Sequence, residues 1–284
     1  MVLKKVKTFA ELVKFEHTVF ALPFAYTSAF LAAGGVPAVP KLFWITVAMV
    51  GARSAAMGFN RLIDRAIDAK NPRTAGRHLP RGKISIREVL IFNLLAVLLL
   101  TVSVLQLSPG HIIYLPFILG ILVGYSYTKR FTPYCHLVLG LAISFAPLGG
   151  WIAISQKSSL SALLLAATVG AWVAGFDIIY AMQDIDFDRA HGLHSLPADF
   201  GVKTALWWSR SLHILSVLFL LLIYKVLSLG VPYLLGVVIV AGLLGYEHAL
   251  VSPRDFSKVN VAFFNVNGII SMIIFCFTLL DILM

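Results

Sequence analysis

The sequence predicts an all-α membrane protein: nine transmembrane helices in one bundle, with the N-terminus on the cytoplasmic side. Three observations carry this expectation. The 284 residues are 59% hydrophobic and 13% charged, against roughly 25% charged residues in a soluble domain, and mean hydropathy is +0.89. Apolar segments of about 20 residues, enough to cross a hydrocarbon core, recur from near residue 9 to the last residue, so 1–284 reads as a single transmembrane domain. Alternate connections carry eighteen Lys and Arg on one side against Lys41, Lys157 and Lys225 on the other, and the basic side is the cytoplasmic one.

Gly, Pro and charge clusters delimit the spans in order. In the first, 9–35, the apolar run at 18–33 follows Lys4, Lys5, Lys7 and Lys14 as that of a signal peptide would. Glu11, Glu16 and His17 interrupt the approach and Pro23 lies inside the apolar run, so a retained helix is expected. The second, 40–69, stops at Asn71-Pro72, where the proline disfavours helical backbone before it. The third, 85–107, reaches the fourth, 111–129, through a tight turn at Ser108-Pro109-Gly110, and Lys129-Arg130 ends the fourth. The fifth, 134–155, carries Gly149-Gly150, read as a bend or a close helix contact; the sixth is 159–185 and the seventh 200–228. Leu229-Gly230-Val231 turns into the eighth, 231–251, where Glu247-His248 reads as an interfacial pair, and the ninth is 259–283.

The net charge of +10 sits in short loops, where membrane orientation accounts for most of it, so no nucleic-acid partner is expected. Cys135 and Cys276 lie in separate apolar segments without ligand spacing and read as packing residues.

Two stretches break the apolar pattern. Asn60, Asp64 and Asp68 stand four apart, so on a helix they drift only about 40° per step along one face, and Arg53 falls on the same stripe two turns earlier. Asp177, Tyr180, Asp184 and Asp188 repeat the design near the end of the sixth span. Ionisable side chains at membrane depth are costly, roughly 2.5–3.5 kcal/mol each, and mark function by default. The plainer alternative is that these aspartates are end-of-helix charges paired with Arg61, Arg65 and Arg189, but matched spacing in two places argues against it. If the second and sixth helices bring these faces together, carboxylates that close require a metal or displaced protonation. Mg²⁺ suits them: it takes one or two carboxylates, keeps waters and shares its other positions with substrate phosphates.

The stretch 61–87 holds eight basic residues and two acidic ones. Its Arg73, Arg77 and Arg81 are candidates to grip a diphosphate. A weak internal echo links the halves: His78-Leu79-Pro80 and Gly82 follow Asp68, while His194, Leu196-Pro197 and Gly201 follow Asp188. His78, His191 and His194 lack the spacing of a zinc set and read as loop histidines near a phosphate site. Asp186 points away from Asp184 and is left out of the site.

Taken together, Asn60-x₃-Asp64-x₃-Asp68 after Arg53-Ser54, the loop from Pro72-Arg73-Thr74 to Leu79-Pro80, and Asp184-x₃-Asp188 after Asp177 and Tyr180 resemble the UbiA superfamily of intramembrane prenyltransferases. Tyr125, Tyr127, Lys129 and Arg130 match the family's basic pair preceded by tyrosine, and the resemblance covers essentially the whole chain. Many members place Asp directly after the Asn, where this chain has Arg61. The motif wording is similar to both the 4-hydroxybenzoate polyprenyltransferase branch and the futalosine-route menaquinone branch.

The resemblance implies Mg²⁺-dependent transfer of a polyprenyl group from polyprenyl diphosphate to a small aromatic acceptor, 4-hydroxybenzoate first, in ubiquinone or menaquinone biosynthesis. It implies metal ligands at Asn60, Asp64, Asp68, Asp184 and Asp188, with Asp64 or Asp184 as the base, and Lys129 and Arg130 beside the three arginines at the diphosphate. Arg53, Tyr125, Tyr127, Asp177 and Tyr180 are the expected substrate contacts; the tyrosine π faces can shield an allylic cation. A multi-pass enzyme of the cell's inner membrane follows, its site facing the cytoplasm and its partners the two substrates and membrane lipid. A cation transporter is the alternative of another class, disfavoured because the acidic stripes have no counterpart at the opposite ends of their helices. A CDP-alcohol phosphotransferase is a third reading, but the Asp-Gly and Ala-Arg pairs of that signature are absent around Asp64.

Overall fold

A computed structural model describes residues 8–14, 18–252 and 255–284, the first three of the second range by backbone alone. Lys4, Lys5, Lys7, Glu16, His17 and Arg254 lie outside the described residues. A short helical stretch at 8–12 precedes α1 (Thr18–Ala33), α2 (Val39–Ile63), α3 (Arg65–Lys70), α4 (Ile86–Leu107), a 3₁₀ turn (Pro109–Tyr114) and α5 (Leu115–Thr128). Then come α6 (Cys135–Ser155), α7 (Leu160–Ala181), a 3₁₀ turn (Met182–Asp184), α8 (Ile185–Ala190), α9 (Leu196–Val226), α10 (Val231–Leu250), a π-helical segment (Val261–Val266) and α11 (Asn267–Leu283). Among the described residues there is no strand, only an isolated bridge between Ser252 and Asp255. Among the described residues eight helices are long and apolar enough to cross a membrane, and Ala21–Ala33 is a shorter apolar helix.

Several expected spans are corrected. The first is not continuous over 9–35, because the chain turns at Lys14 (φ 51°). The second ends at Ile63: Asp64 sits near φ −89°, ψ 2°, outside helical geometry, and a separate α3 follows. Its N–H still donates to Asn60 O at 2.9 Å and its carbonyl accepts from Asp68 N at 2.7 Å, so the four-residue register continues across the joint. The sixth tightens into 3₁₀ geometry before Asp184 instead of running to 185. The seventh is preceded by a short helical stretch at 196–200, from which a kink at Gly201 (φ 80°, ψ 162°) separates it. Ser108-Pro109-Gly110 opens a 3₁₀ turn, and the last helix starts as a π-helical segment.

The chain divides into two compact units: residues 1–18 with 43–127, and 19–42 with 128–284. In the first, Gly51 lets α2 approach α4 closely: a Cβ there would lie 2.9 Å from Leu100 N. Phe9, Leu12, Leu62, Leu79, Ile84 and Val89 form an apolar cluster that pins the loop between α3 and α4. Ser85 begins α4 as a capping box, its Oγ accepting from Glu88 N and its N–H donating to Glu88 Oε2.

In the second unit α7 is the buried centre, packed between α6 and α9. Small residues allow it: a Cβ on Gly140 would lie 2.2 Å from Gly170 O, and one on Gly150 would lie 2.3 Å from Ala25 O. Gly150 therefore serves close packing, as one of its two expected roles had it. Outward residues such as Trp207, Ile214, Leu218 and Val238 are exposed and apolar, as a lipid-facing surface requires.

Candidate functional site

In the first unit the carboxylate motif occupies the joint between α2 and α3. Asp64 and Asp68 are each only 3% exposed, while Arg65 and Lys70 on the outer face are exposed. Asn60 Nδ2 donates to Asp64 Oδ2 at 3.0 Å and to Ser126 Oγ of α5 at 3.2 Å. Arg61 is also buried: its Nε donates to Leu12 O at 3.2 Å and its Nη1 to Asn60 Oδ1 at 3.3 Å. The residue that departs from the family pattern thus braces the motif and ties the N-terminal stretch to it. Tyr125 lies within electrostatic reach of Arg53, Arg61 and Asp64. Tyr127, two residues on and about 200° round the helix, is 48% exposed.

The loop after α3 is an ordered platform. Asn71 Oδ1 accepts from Arg73 N at 2.9 Å, an Asx turn set by Asn71-Pro72, and Thr74 Oγ1 donates to Asp68 O at 3.1 Å. Arg77 Nη1 donates to both oxygens of Asp68, at 2.6 and 2.7 Å. A candidate metal ligand is therefore held by a candidate phosphate ligand. Arg73 and Arg81 are exposed, and Gly82 (φ 66°) closes the loop, Lys83 N donating to His78 O.

In the second unit Asp184 ends the 3₁₀ turn, Asp188 lies in α8, and Asp186 is exposed. Asp188 Oδ2 accepts from Ser195 Oγ at 3.2 Å, and its surroundings include the charges of Asp184, Lys129 and His136. Ser195 also caps α9, accepting from Ala198 N. Asp177 Oδ2 accepts from His136 Nδ1 at 2.7 Å, while Nε2 of the same ring accepts from Leu196 N at 3.4 Å. His136 thus bridges the Asp177 carboxylate and the backbone N–H that opens α9. Lys129 O accepts from His194 N at 2.7 Å, so the loop after α8 is stitched to the stretch before α6. Tyr180 packs on Phe263, ring centroids 4.2 Å apart.

The sequence reading missed His136, Ser195 and Ser126. Ser195 had a signal, the cap pattern Ser-Leu-Pro-Ala-Asp; His136 and Ser126 had none, because their partners lie far along the chain. Asp68 pairs with Arg77, and Arg189 Nε donates to Ala198 O at 2.8 Å, neither of which is the plainer alternative of end-of-helix pairs with Arg61, Arg65 and Arg189. The three loop histidines have protein partners: His78 with Glu11 at 3.1 Å, His194 with Asp199 at 3.0 Å, and His191 stacked on Phe187. Glu247 is no interfacial residue, being 0% exposed.

The donor chemistry fits Mg²⁺: two carboxylates in each motif and an amide oxygen in the first. Among the described residues no group of three or more His, Cys, Asp or Glu is arranged to hold a metal by itself. A cation at either motif would draw further oxygens from water or substrate, as Mg²⁺ does beside phosphates.

Residues 21–269 match the UbiA prenyltransferase family. The chain is 34% identical to the 4-hydroxybenzoate octaprenyltransferase of Vibrio cholerae over 247 residues, 84% of this chain and 83% of that one. It is 33% identical to the enzyme of the same name from Aliivibrio salmonicida over 273 residues, 94% of both. The apo structure of a UbiA homolog from Aeropyrum pernix K1 superposes with a TM-score of 0.85 at 34% identity, covering 94% of this chain and 98% of that one. A UbiA homolog from Archaeoglobus fulgidus bound to DMAPP and Mg²⁺ shares the fold at 17% identity, with a TM-score of 0.71 over 97% and 99% of the two chains. This decides for an enzyme over a transporter: the chain belongs to the UbiA prenyltransferase family.

Proposed function

We propose that the protein transfers a polyprenyl group from polyprenyl diphosphate to an aromatic acceptor, 4-hydroxybenzoate first, in quinone biosynthesis, with Mg²⁺. The observation that carries the reading is near full-length similarity to 4-hydroxybenzoate octaprenyltransferases in a chain that buries Asp64 and Asp68 of the Asn60, Asp64 and Asp68 motif at the α2–α3 joint. Asp64, Asp68, Asp184 and Asp188, with Asn60, hold the metal. Bound Mg²⁺ offsets charge on the departing diphosphate.

The residues of the chain do the rest. Arg73, Arg77, Arg81, Lys129 and Arg130 take the diphosphate oxygens, Arg77 exchanging Asp68 for phosphate. The allylic C–O bond breaks with its electron pair on the diphosphate, and a ring carbon of the phenol bonds to the allylic carbon. The ring proton passes to a carboxylate, Asp64 or Asp184. Arg53 or Arg130 balances the acceptor carboxylate, and Tyr125, Tyr127 and Tyr180 offer π faces to the cation; Asp177 supports the second motif through His136. We assign the chain nine spans acting as one membrane domain, α1 counted with the eight long helices, with the N-terminus and the site on the cytoplasmic side of the cell membrane.

The test is the purified chain in lipid nanodiscs with Mg²⁺, labelled polyprenyl diphosphate and either 4-hydroxybenzoate or a naphthoate, the products identified by mass spectrometry. Prenylated 4-hydroxybenzoate that disappears with EDTA is expected. Product with the naphthoate alone overturns the acceptor, and no prenylated aromatic with either overturns the reading.

A further inference from the structure

A buried polar node in the second unit has no part in the chemistry above. Asn267, the first residue of α11, is fully buried. Its Oδ1 accepts from Trp172 Nε1 at 2.7 Å, and its Nδ2 donates to Glu247 Oε1 at 3.0 Å, Ala262 O at 3.1 Å and Phe263 O at 3.2 Å. The last two carbonyls belong to the π-helical segment, where the widened turn disturbs the ordinary i to i−4 ladder. One side-chain amide thus supplies donors to the irregular turn and ties it to α7 and α10.

That turn carries Phe263 and Phe264. Trp172 meets Phe176 edge-on at 5.0 Å, Phe176 meets Phe263 edge-on at 5.1 Å, and Phe263 packs on Tyr180 at 4.2 Å. Tyr180 stands four residues before Asp184. Asn267 therefore fixes two members of this aromatic column: Trp172 through its indole N–H, and Phe263, the ring against Tyr180, through its own carbonyl.

We propose that Asn267 is a positioning residue, whose amide fixes Trp172 and the Phe263 turn so that Tyr180 is held as the wall that keeps water from the allylic carbon during transfer. The inference rests on the proposed function. Its consequence is a partition: at the allylic carbon, either the acceptor ring forms the new C–C bond, or water forms a C–O bond and releases a proton to solvent, giving polyprenyl alcohol. Diphosphate leaves in both cases.

The experiment measures the ratio of polyprenyl alcohol to prenylated acceptor for the full chain in nanodiscs, for wild type and for Asn267→Leu, Trp172→Phe and Phe263→Leu. Trp172→Phe removes the N–H and keeps an aromatic ring, so it serves where Asn267→Leu folds poorly. A ratio raised about threefold or more in each variant is expected, the change that loss of an aromatic contact supports. A purely structural role lowers both products in proportion, and an unmoved ratio overturns the inference. A wild-type chain that prenylates no aromatic acceptor strikes the proposed function itself; normal wild-type transfer beside unmoved ratios strikes only Asn267.

Discussion

The first and second carboxylate motifs share a spacing and differ in how their last aspartate is held. Asp68 is buried and both its oxygens accept from Arg77, a cation of the following loop. Asp188 is half-buried and accepts from a neutral hydroxyl, that of Ser195. A glycine with positive φ follows each motif, Gly82 at φ 66° in the loop after α3 and Gly201 at φ 80°, ψ 162° at the kink within α9. The same register thus sits in two electrostatic settings. At the first motif a guanidinium pairs with the last aspartate directly, whereas at the second a hydroxyl bonds it and the charges of Lys129 and Asp184 act from around it.

The largest effects should come from the carboxylates. Asp68→Ala and Asp188→Ala are each expected to lower the kcat/KM of prenyl transfer by about 10²-fold or more, the usual consequence of removing a group that answers charge in the transition state. Wild-type rates in either would show that the motifs are not equivalent in function and would break the metal assignment.

Arg77→Ala should separate the two settings. It leaves Asp68 buried without its cation and is expected to lower stability by about 1–3 kcal/mol, read as a fall in the thermal midpoint of the purified protein. Part of that loss should return on adding Mg²⁺, because a ligand bound only by the folded state stabilises it. An unchanged midpoint would show that the Arg77 pair is not needed to hold Asp68.

Ser195→Ala is the counterpart in the second motif. Loss of the cap should cost about 1 kcal/mol, and loss of the hydroxyl on Asp188 should raise the Mg²⁺ concentration for half-maximal activity about tenfold. If the Mg²⁺ dependence stays put while the midpoint falls, Ser195 is a helix cap alone.

The smallest effects are expected at these two glycines. Gly82→Ala and Gly201→Ala place a Cβ in the left-handed region, which costs roughly 1 kcal/mol each, with nothing nearby for the new atom to strike. Equal small falls in midpoint would support a shared loop design, and a loss at only one would weaken the echo between the halves.

Much of the helical pattern was legible because the membrane enforces it: with no water to satisfy backbone groups, apolar runs become helices. The paired motifs were equally legible, since spacing of four is a local property of a helix and survived the joint at Asp64. What escaped was where helices stop being regular. The 3₁₀ turn before Asp184 and the π-helical segment at Val261–Val266 depend on partners such as Asn267 that lie on other elements. The surroundings of Arg61 and Glu247 escaped for the same reason: a charge in sequence carries no record of whether it ends in solvent or is buried against Leu12 or Asn267.

The sequence by itself determined the class of protein, the order of most spans, the family and the spacing of its acidic residues, all short-range patterns written into consecutive positions. Only tertiary structure decided that Arg77 closes on Asp68, that His136 bridges Asp177 and Leu196, and that a buried amide holds the π turn beneath Tyr180. Each of those contacts joins groups from different elements, and which donor meets which acceptor is settled by packing, where a buried polar atom left without a partner costs more than any local propensity can return.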